Sequence, residues 1–274
     1  MALKISIVTA CYNSGATVRE SILSVARQNY PEVEHIIVDG ASKDDTMEIV
    51  VANSIPGASI ISEPDHGIYD AWNKGIRRAT GDYIWLLNSD DQIFDSDTVK
   101  ETANYILAHN RPAFLYGKVN GYEASSGYTY VAGKPTELRD FVFGMRDFCI
   151  LATIIRKDVF ERIGYFNTNY HISSDYDWAI TLFKSLPGED ILFYDRILTN
   201  FSVGGISNRR YREAYAEVAE IVWRHFSVSD YVLHKIFMSW RISLMFLLPY
   251  ARSAGVLSSW RRLRDTLAKK SADV

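Results

Sequence analysis

Four short apolar runs alternate with helical stretches over the first 91 residues, and each run ends in a polar cluster. The runs are Ile5–Thr9, His35–Val38, Ser59–Ser62 and Tyr83–Leu87. Between them, Ala16–Gln28, Ser42–Ala52 and Ile68–Ala79 carry helical patterning. Thr17 with Glu20, and Ser42 with Asp45, stand at capping-box spacing at two helix starts. This β-α-β-α order dictates a mostly parallel sheet with helices on both faces. Ligands of such sheets bind beyond the carboxyl ends of the strands. The polar groups gather at those ends: Thr9-Ala10-Cys11-Tyr12-Asn13, Asp39-Gly40-Ala41-Ser42, Glu63-Pro64-Asp65-His66-Gly67 and Asn88-Ser89-Asp90-Asp91.

The rest of the 274 residues is less regular. Ser96–His109 reads as a helix, Phe114–Lys118 as a strand, and Gly121–Gly133 as a hairpin or a mobile loop. Ala152–Arg156 reads as a strand, Lys157–Ile163 as a helix, Tyr176–Leu186 as an amphipathic helix and Ile191–Phe193 as a strand. From Tyr211 onward the pattern is helical. With 47% hydrophobic and 23% charged residues, the chain can bury one large core. The expected organisation is one catalytic domain over 1–210 and a helical C-terminal extension over 211–274.

Charge and cysteines narrow the function class. A formal net charge of -3 argues against a nucleic-acid binder. Cys11 and Cys149 form no metal pattern and no disulfide framework, so two buried thiols in a reducing compartment are expected. The apolar run after Met1 is too short for a signal peptide. The run Leu244–Leu248 falls well short of the roughly 20 residues a membrane span needs. A cytoplasmic protein is expected. Lys235, Arg241, Arg252, Arg261, Arg262, Arg264, Lys269 and Lys270 stand among Ile236, Phe237, Met238, Trp240, Leu244, Phe246 and Leu247. That composition fits a peripheral contact with a membrane surface, or helices packing on the main domain or a partner.

Four constellations can carry chemistry. Adjacent carboxylates at Asn88-Ser89-Asp90-Asp91 repel unless a cation joins them. A divalent ion with a diphosphate would supply that charge, while the same residue types also make a solvated turn. Asp39 closes a strand before Gly40, where it can accept a base N–H or act as a turn aspartate. Asp175, in Ser174-Asp175-Tyr176-Asp177-Trp178, begins a helix, where it can take a proton or simply cap. Asp177 is expected on the helix surface. Phe201–Arg210 joins paired glycines to Arg209 and Arg210, as a phosphate contact or as a loop before a helix. Of the histidines, only His66 is placed near the crevice. Serine-nucleophile, Walker and dinucleotide fingerprints are absent from the sequence.

Four ordered segments resemble the family 2 glycosyltransferases of the GT-A fold, which build bacterial polysaccharides. They are Ser6–Asn13, Ile36–Thr46, Ser62–Ile76 and Gly81–Asp91. The resemblance weakens toward Ser207 and leaves the C-terminal helices outside. It implies a GT-A, Rossmann-like, mostly parallel mixed sheet flanked by helices. It implies that Thr9, Tyr12 and Asp39 hold the nucleotide, and that Asp65, Asn73 and Lys74 line the donor site. Asn88-Ser89-Asp90 occupies the family's Asp-any-Asp position for metal, ribose and phosphates, and Asp175 matches the catalytic base.

Three positions depart from that pattern. Asn88 replaces the first acid, so Asp90, helped by Asp91, would carry Mg²⁺ or Mn²⁺. Ser174 replaces a Glu often found before the base. Ile150-Leu151-Ala152 stands where many relatives have a His-Gln pair. The expected function is inverting transfer from a nucleotide-sugar donor, UDP by resemblance, to a saccharide or lipid-linked acceptor. The substitutions at Asn88 and Ser174 keep open a catalytically inactive sugar-nucleotide binder. A nucleotidyltransferase would need a basic, Gly-rich phosphate loop, and Ala10–Gly15 has no Lys or Arg.

Overall fold

The computed structural model describes residues 2–123, 127–144, 147–205 and 209–253, the side chains of 244–253 excepted. The strands are β1 (Ile5–Cys11), β2 (Val33–Asp39), β3 (Ser59–Ser62), β4 (Tyr83–Asn88), β5 (Gln92–Ile93), β6 (Phe114–Glu123), β7 (Tyr128–Ala132), β8 (Thr153–Arg156) and β9 (Ile191–Ser202). The helices are α1 (Val18–Ala26), α2 (Thr46–Asn53), α3 (Ile68–Arg78), α4 (Thr98–Ala108), α5 (Lys157–Ile163), α6 (Ser174–Ser185), α7 (Tyr211–His225) and α8 (Val228–Ser253).

All nine described strands form one sheet in the order β3-β2-β1-β4-β8-β6-β9-β5, with β7 paired to β6. The first four strands are parallel, as the alternation dictates. The second half is mixed: β8 runs antiparallel to β4 and β6, whereas β9 runs parallel to β6. Strand β1 is buried along its whole length because it has a neighbour on each side and helices on both faces. Its side chains alternate between two cores. Ile5 and Ile7 join Trp85, Val99 and Ile106, whereas Val8 and Ala10 join Trp72, Ile76 and Leu86.

Helix α3 lies directly on β1. A Cβ at Gly75 would stand 2.3 Å from Val8 Cγ1, so only glycine permits this approach. Trp72, Phe166 and Trp178 then pack as tilted rings with centroids 5.5 and 5.3 Å apart, tying α3 to α6. Helix α7 adds Ile221 and Val222, both fully buried, to the same core. Each such burial contributes about 1.5–3 kcal/mol.

Several sequence expectations shift in detail. Helix α2 starts at Thr46 rather than Ser42, because Ser42 turns back to bond Asp39. Thr17 stands at the N-cap of α1 without a side-chain cap bond, and Glu20 pairs with Arg19 instead. Strand β9 runs twelve residues, far past the expected Ile191–Phe193. Gly121–Gly133 contains a β6–β7 hairpin, with its tip outside the described residues. Cys11 is buried, but Cys149 is only half-buried. Among the described residues, no helix is long and apolar enough to cross a membrane.

Candidate active site

Strand register builds the site. Cys11 pairs with Asp39, Asp39 with Ser62, and Ala10 with Asn88, so four strand ends finish in one row. Past that row the backbone is strained. Asn13 and Ala41 adopt positive φ values of 46° and 61°. For Ala41 this costs about 1–2 kcal/mol. Both residues sit in loops that bring polar groups to the crevice.

Asp39 is fully buried. One carboxylate oxygen accepts from the Ser42 hydroxyl, and the other accepts from Ser62 Oγ at 2.7 Å and Ser42 N at 3.1 Å. Cys11 Sγ also donates to Oδ1 at 3.8 Å, so all four acceptor positions are engaged and a base would have to displace one of these donors. The Cys11 thiol is pushed up to about 12, by burial first and by Asp39 second, so it stays protonated. A Cβ at Gly40 would stand 2.6 Å from Asp65 Oδ2 and 3.1 Å from Tyr12 Cδ2. The structure thus brings Tyr12, Asp39 and Asp65 together, with Tyr12 59% exposed at the rim.

Other expected donor residues are engaged with partners within the protein. Thr9 is fully buried, and its hydroxyl lies 3.0 Å from His35 Nε2. Burial pushes the His35 ring down to about 3, so it is neutral at pH 7. Asn73 brackets Phe166, donating to its carbonyl at 2.8 Å and accepting from its N–H at 3.0 Å. Lys74 donates to Pro64 O at 2.8 Å and pairs with Glu63 and Asp70. These two residues hold the walls of the crevice. His66 is exposed, and its N–H donates to Asp70.

The turn after β4 holds the second cluster. Ser89 Oγ donates to Ser14 Oγ at 2.8 Å, joining this turn to the loop after β1. Asp90 lines a cavity of about 450 Å³ with Thr17, Glu20, Tyr122 and Asn200. Burial of its carboxyl pushes its pKa up, opposed by nearby Arg209. Asp91 is 1% exposed, and Oδ1 accepts from Ser202 N at 2.8 Å. Burial and then the charge of Asp90 push Asp91 up to about 8. Asp91 Oδ2 and Asn88 Oδ1 are buried and meet no hydrogen-bond donor at bonding geometry, while the Asn88 side chain stands close enough to Asp91 to lower its pKa. Two orphaned oxygens beside a crowded carboxylate fit a divalent cation, with phosphate and water completing its shell. Among the described residues, no cluster of three His, Cys, Asp or Glu forms a cage by itself. Arg210 is engaged with Glu213, and 206–208 of the Phe201–Arg210 loop lie outside the described residues.

Asp175 is the second residue of α6 and is 6% exposed. Its Oδ1 accepts from Tyr176 N at 3.0 Å and lies 3.0 Å from the Tyr69 hydroxyl. Tyr69 opens α3, directly after the loop holding Asp65, so α3 links the two clusters. The segment before α6 is held from α7. Glu217 accepts from the N–H groups of His171, Ile172 and Ser173 at 2.8, 3.0 and 2.7 Å. Asp177 does not simply face solvent: Oδ1 meets His225 Nε2 at 2.7 Å. Sequence reasoning missed Ser42, Ser62, Tyr69 and Glu217, whose partners are fixed only by the fold.

Parallel strand ends with carboxylates, followed by a mixed half-sheet with an acid at a helix start, define the GT-A fold. Residues 6–164 match the profile of Glycosyl transferase family 2, and the chain belongs to that family as a glycosyltransferase. It is 30% identical over 207 residues to a PGL/p-HBAD biosynthesis glycosyltransferase of Mycobacterium bovis, covering 74% of this chain and 78% of that one. It is 25% identical over 229 residues to the poly-beta-1,6-N-acetyl-D-glucosamine synthase of Staphylococcus epidermidis, covering 77% and 53%. Among solved structures it is similar to a fragment of S. aureus TarS in complex with UDP. There the TM-score is 0.61 and the identity 21%, over 80% of this chain and 64% of that one. It is also similar to a mannosyltransferase from Pyrobaculum calidifontis in complex with GDP-Man and Mn²⁺. There the TM-score is 0.57 and the identity 16%, over 82% and 64%.

Proposed function

We propose that this glycosyltransferase moves a sugar from a UDP-sugar to a hydroxyl of a saccharide or lipid-linked acceptor in polysaccharide or glycolipid biosynthesis, with inversion. The carrying observation is the placement of Asp175, held 3.0 Å from Tyr69 on the helix that follows the Asp65 loop. The relatives named for glycolipid and polysaccharide synthesis support the product class. The solved complex with UDP supports the nucleotide.

In this reading Asp39 and Tyr12 take the base, and Asp65 meets the donor beside Gly40. Asp90, backed by Asp91 and the side-chain oxygen of Asn88, would hold Mg²⁺ or Mn²⁺. When bound, such an ion neutralises charge on a departing diphosphate. Asp175 accepts the proton of the acceptor hydroxyl as the new oxygen–carbon bond forms. The bond from the sugar carbon to the phosphate oxygen breaks, and the nucleoside diphosphate leaves with the electron pair. A single displacement inverts the sugar carbon. Tyr69 orients the base, and Asn73 with Lys74 keeps the walls in place.

In the same reading the protein works at the cytoplasmic face of the membrane as a peripheral enzyme. Val228, Val232, Ile236 and Trp240 recur every fourth residue along α8 and are 64%, 49%, 63% and 58% exposed. Lys235 and Arg241 flank them. An apolar stripe with flanking cations suits an anionic lipid surface.

The test is transfer by Asp175→Asn. Turnover should fall roughly 10²–10⁴-fold with UDP affinity unchanged. Normal turnover would remove Asp175 from the reaction.

A further inference from the structure

A second cavity, of about 230 Å³, lies between the segment before α6 and the two C-terminal helices. Ile172 and Ser173 form one wall, Tyr211 and Tyr215 come from α7, and Met238 and Arg241 come from α8. It is too small for a whole substrate and suits one segment of a ligand. Three features define what it can take. First, it adjoins the segment that carries the base: Ile172, Ser173 and Tyr176 line it, and the Ile172 carbonyl lies 2.6 Å from the Tyr69 hydroxyl, which also meets Asp175. Second, its walls mix aliphatic and aromatic side chains with polar groups, with no carboxylate among the described lining residues. Third, Arg241 is the one charged residue among the described residues that line it. Among the described residues, no carboxylate lies within salt-bridge distance of Arg241, whose guanidinium stands 5.9 Å from the Phe237 ring.

We propose that this cavity binds the non-reacting end of the acceptor, an apolar chain or ring carrying a phosphate that pairs with Arg241. The inference deepens the proposed function and rests on Asp175 as the base. An amphipathic phosphate seated here presents its attached sugar toward the segment bearing Asp175. Apart from Gly144, the described residues lining the cavity lie beyond 164, where the family match ends. Acceptor choice would therefore be set by this chain's own C-terminal helices. The exposed stripe of α8 continues from the same helix, so an acceptor leaving a bilayer could enter without crossing bulk water.

The test titrates the full chain with monomeric decyl phosphate, with inorganic phosphate and with decyl maltoside as comparisons. Decyl phosphate should bind at least tenfold more tightly than either comparison, with UDP and Mn²⁺ present or absent. Ala214→Trp, which fills the cavity from α7, should lose decyl phosphate binding. Arg241→Gln should lose the preference for the phosphate over the maltoside. Both variants should keep wild-type UDP affinity, which shows that they are folded. Equal binding by wild type and Ala214→Trp would overturn the proposal, as would displacement of decyl phosphate by UDP. Binding only to phosphatidylglycerol vesicles, lost in Ala214→Trp, would place a bilayer lipid there and also overturn it. Turnover plays no part in these readouts, so failure of Asp175 as base remains a separate result.

Discussion

The Tyr69 hydroxyl lies 3.0 Å from Asp175 Oδ1 and 2.6 Å from the Ile172 carbonyl. One phenol thus touches both the candidate base and the turn that carries it, across more than a hundred residues of sequence. Tyr69→Phe keeps the ring packing on Trp72 and Phe166 and removes only the hydroxyl. A lost bond to a charged partner costs roughly 1.5–3 kcal/mol. The expected result is a roughly tenfold or greater fall in kcat, with UDP affinity unchanged. Steady-state kinetics beside calorimetric UDP binding checks it.

Glu217 secures the same turn from the opposite side. Its carboxylate accepts three backbone N–H groups that have no other acceptor in the turn's own geometry. Glu217→Ala should cost about 2–4 kcal/mol of stability, since charge-assisted bonds are the strong ones. It should lower kcat more than donor binding, because Asp175 follows the turn directly. Thermal unfolding and kinetics on one preparation separate the two effects.

Asp91 gives a pH signature. Its folded pKa of about 8 lies far above the unfolded carboxylate value. The folded protein keeps a proton that the unfolded chain releases, so metal-free stability falls as pH rises from about 4 to 8. The contribution is on the order of 2–5 kcal/mol across that window. Asp91→Asn should remove this part of the pH dependence in EDTA. Mn²⁺ should restore wild-type stability at pH 8, measured by urea denaturation.

The exposed stripe on α8 predicts lipid binding. Ile236→Asp with Trp240→Ala should release the protein from phosphatidylglycerol vesicles in a flotation assay. Neutral phosphatidylcholine vesicles should bind wild type much less, and salt should weaken the attachment. Thermal stability should stay within about 0.5 kcal/mol, because both side chains are surface residues.

The first half-sheet was legible because buried parallel strands write themselves as continuous apolar runs. Tyr83–Leu87 and Asp39 before Gly40 are examples, and register then fixes what stands at the crevice. Strand β9 was underread because Asp195, Arg196, Thr199 and Asn200 interrupt its apolar pattern at a partly solvated part of the sheet. The direction of a polar side chain leaves no mark in one dimension. Asn73 reads as a donor contact, yet the fold turns it onto Phe166, 93 residues away. Ser42 reads as a helix cap, yet a nearby strand-end carboxylate outcompetes the helix for its hydroxyl. Glu217 carried no signal at all, since its partners are backbone groups brought by tertiary packing.

The proposed UDP site spans the ends of β1, β2 and β4 and includes a divalent ion, so calorimetric titration of UDP with and without Mn²⁺ is its plainest test. Binding should depend on manganese and be lost in Asp39→Ala and Asp90→Ala. UDP binding of equal strength without manganese and in Asp90→Ala, or no UDP binding at all, would contradict it.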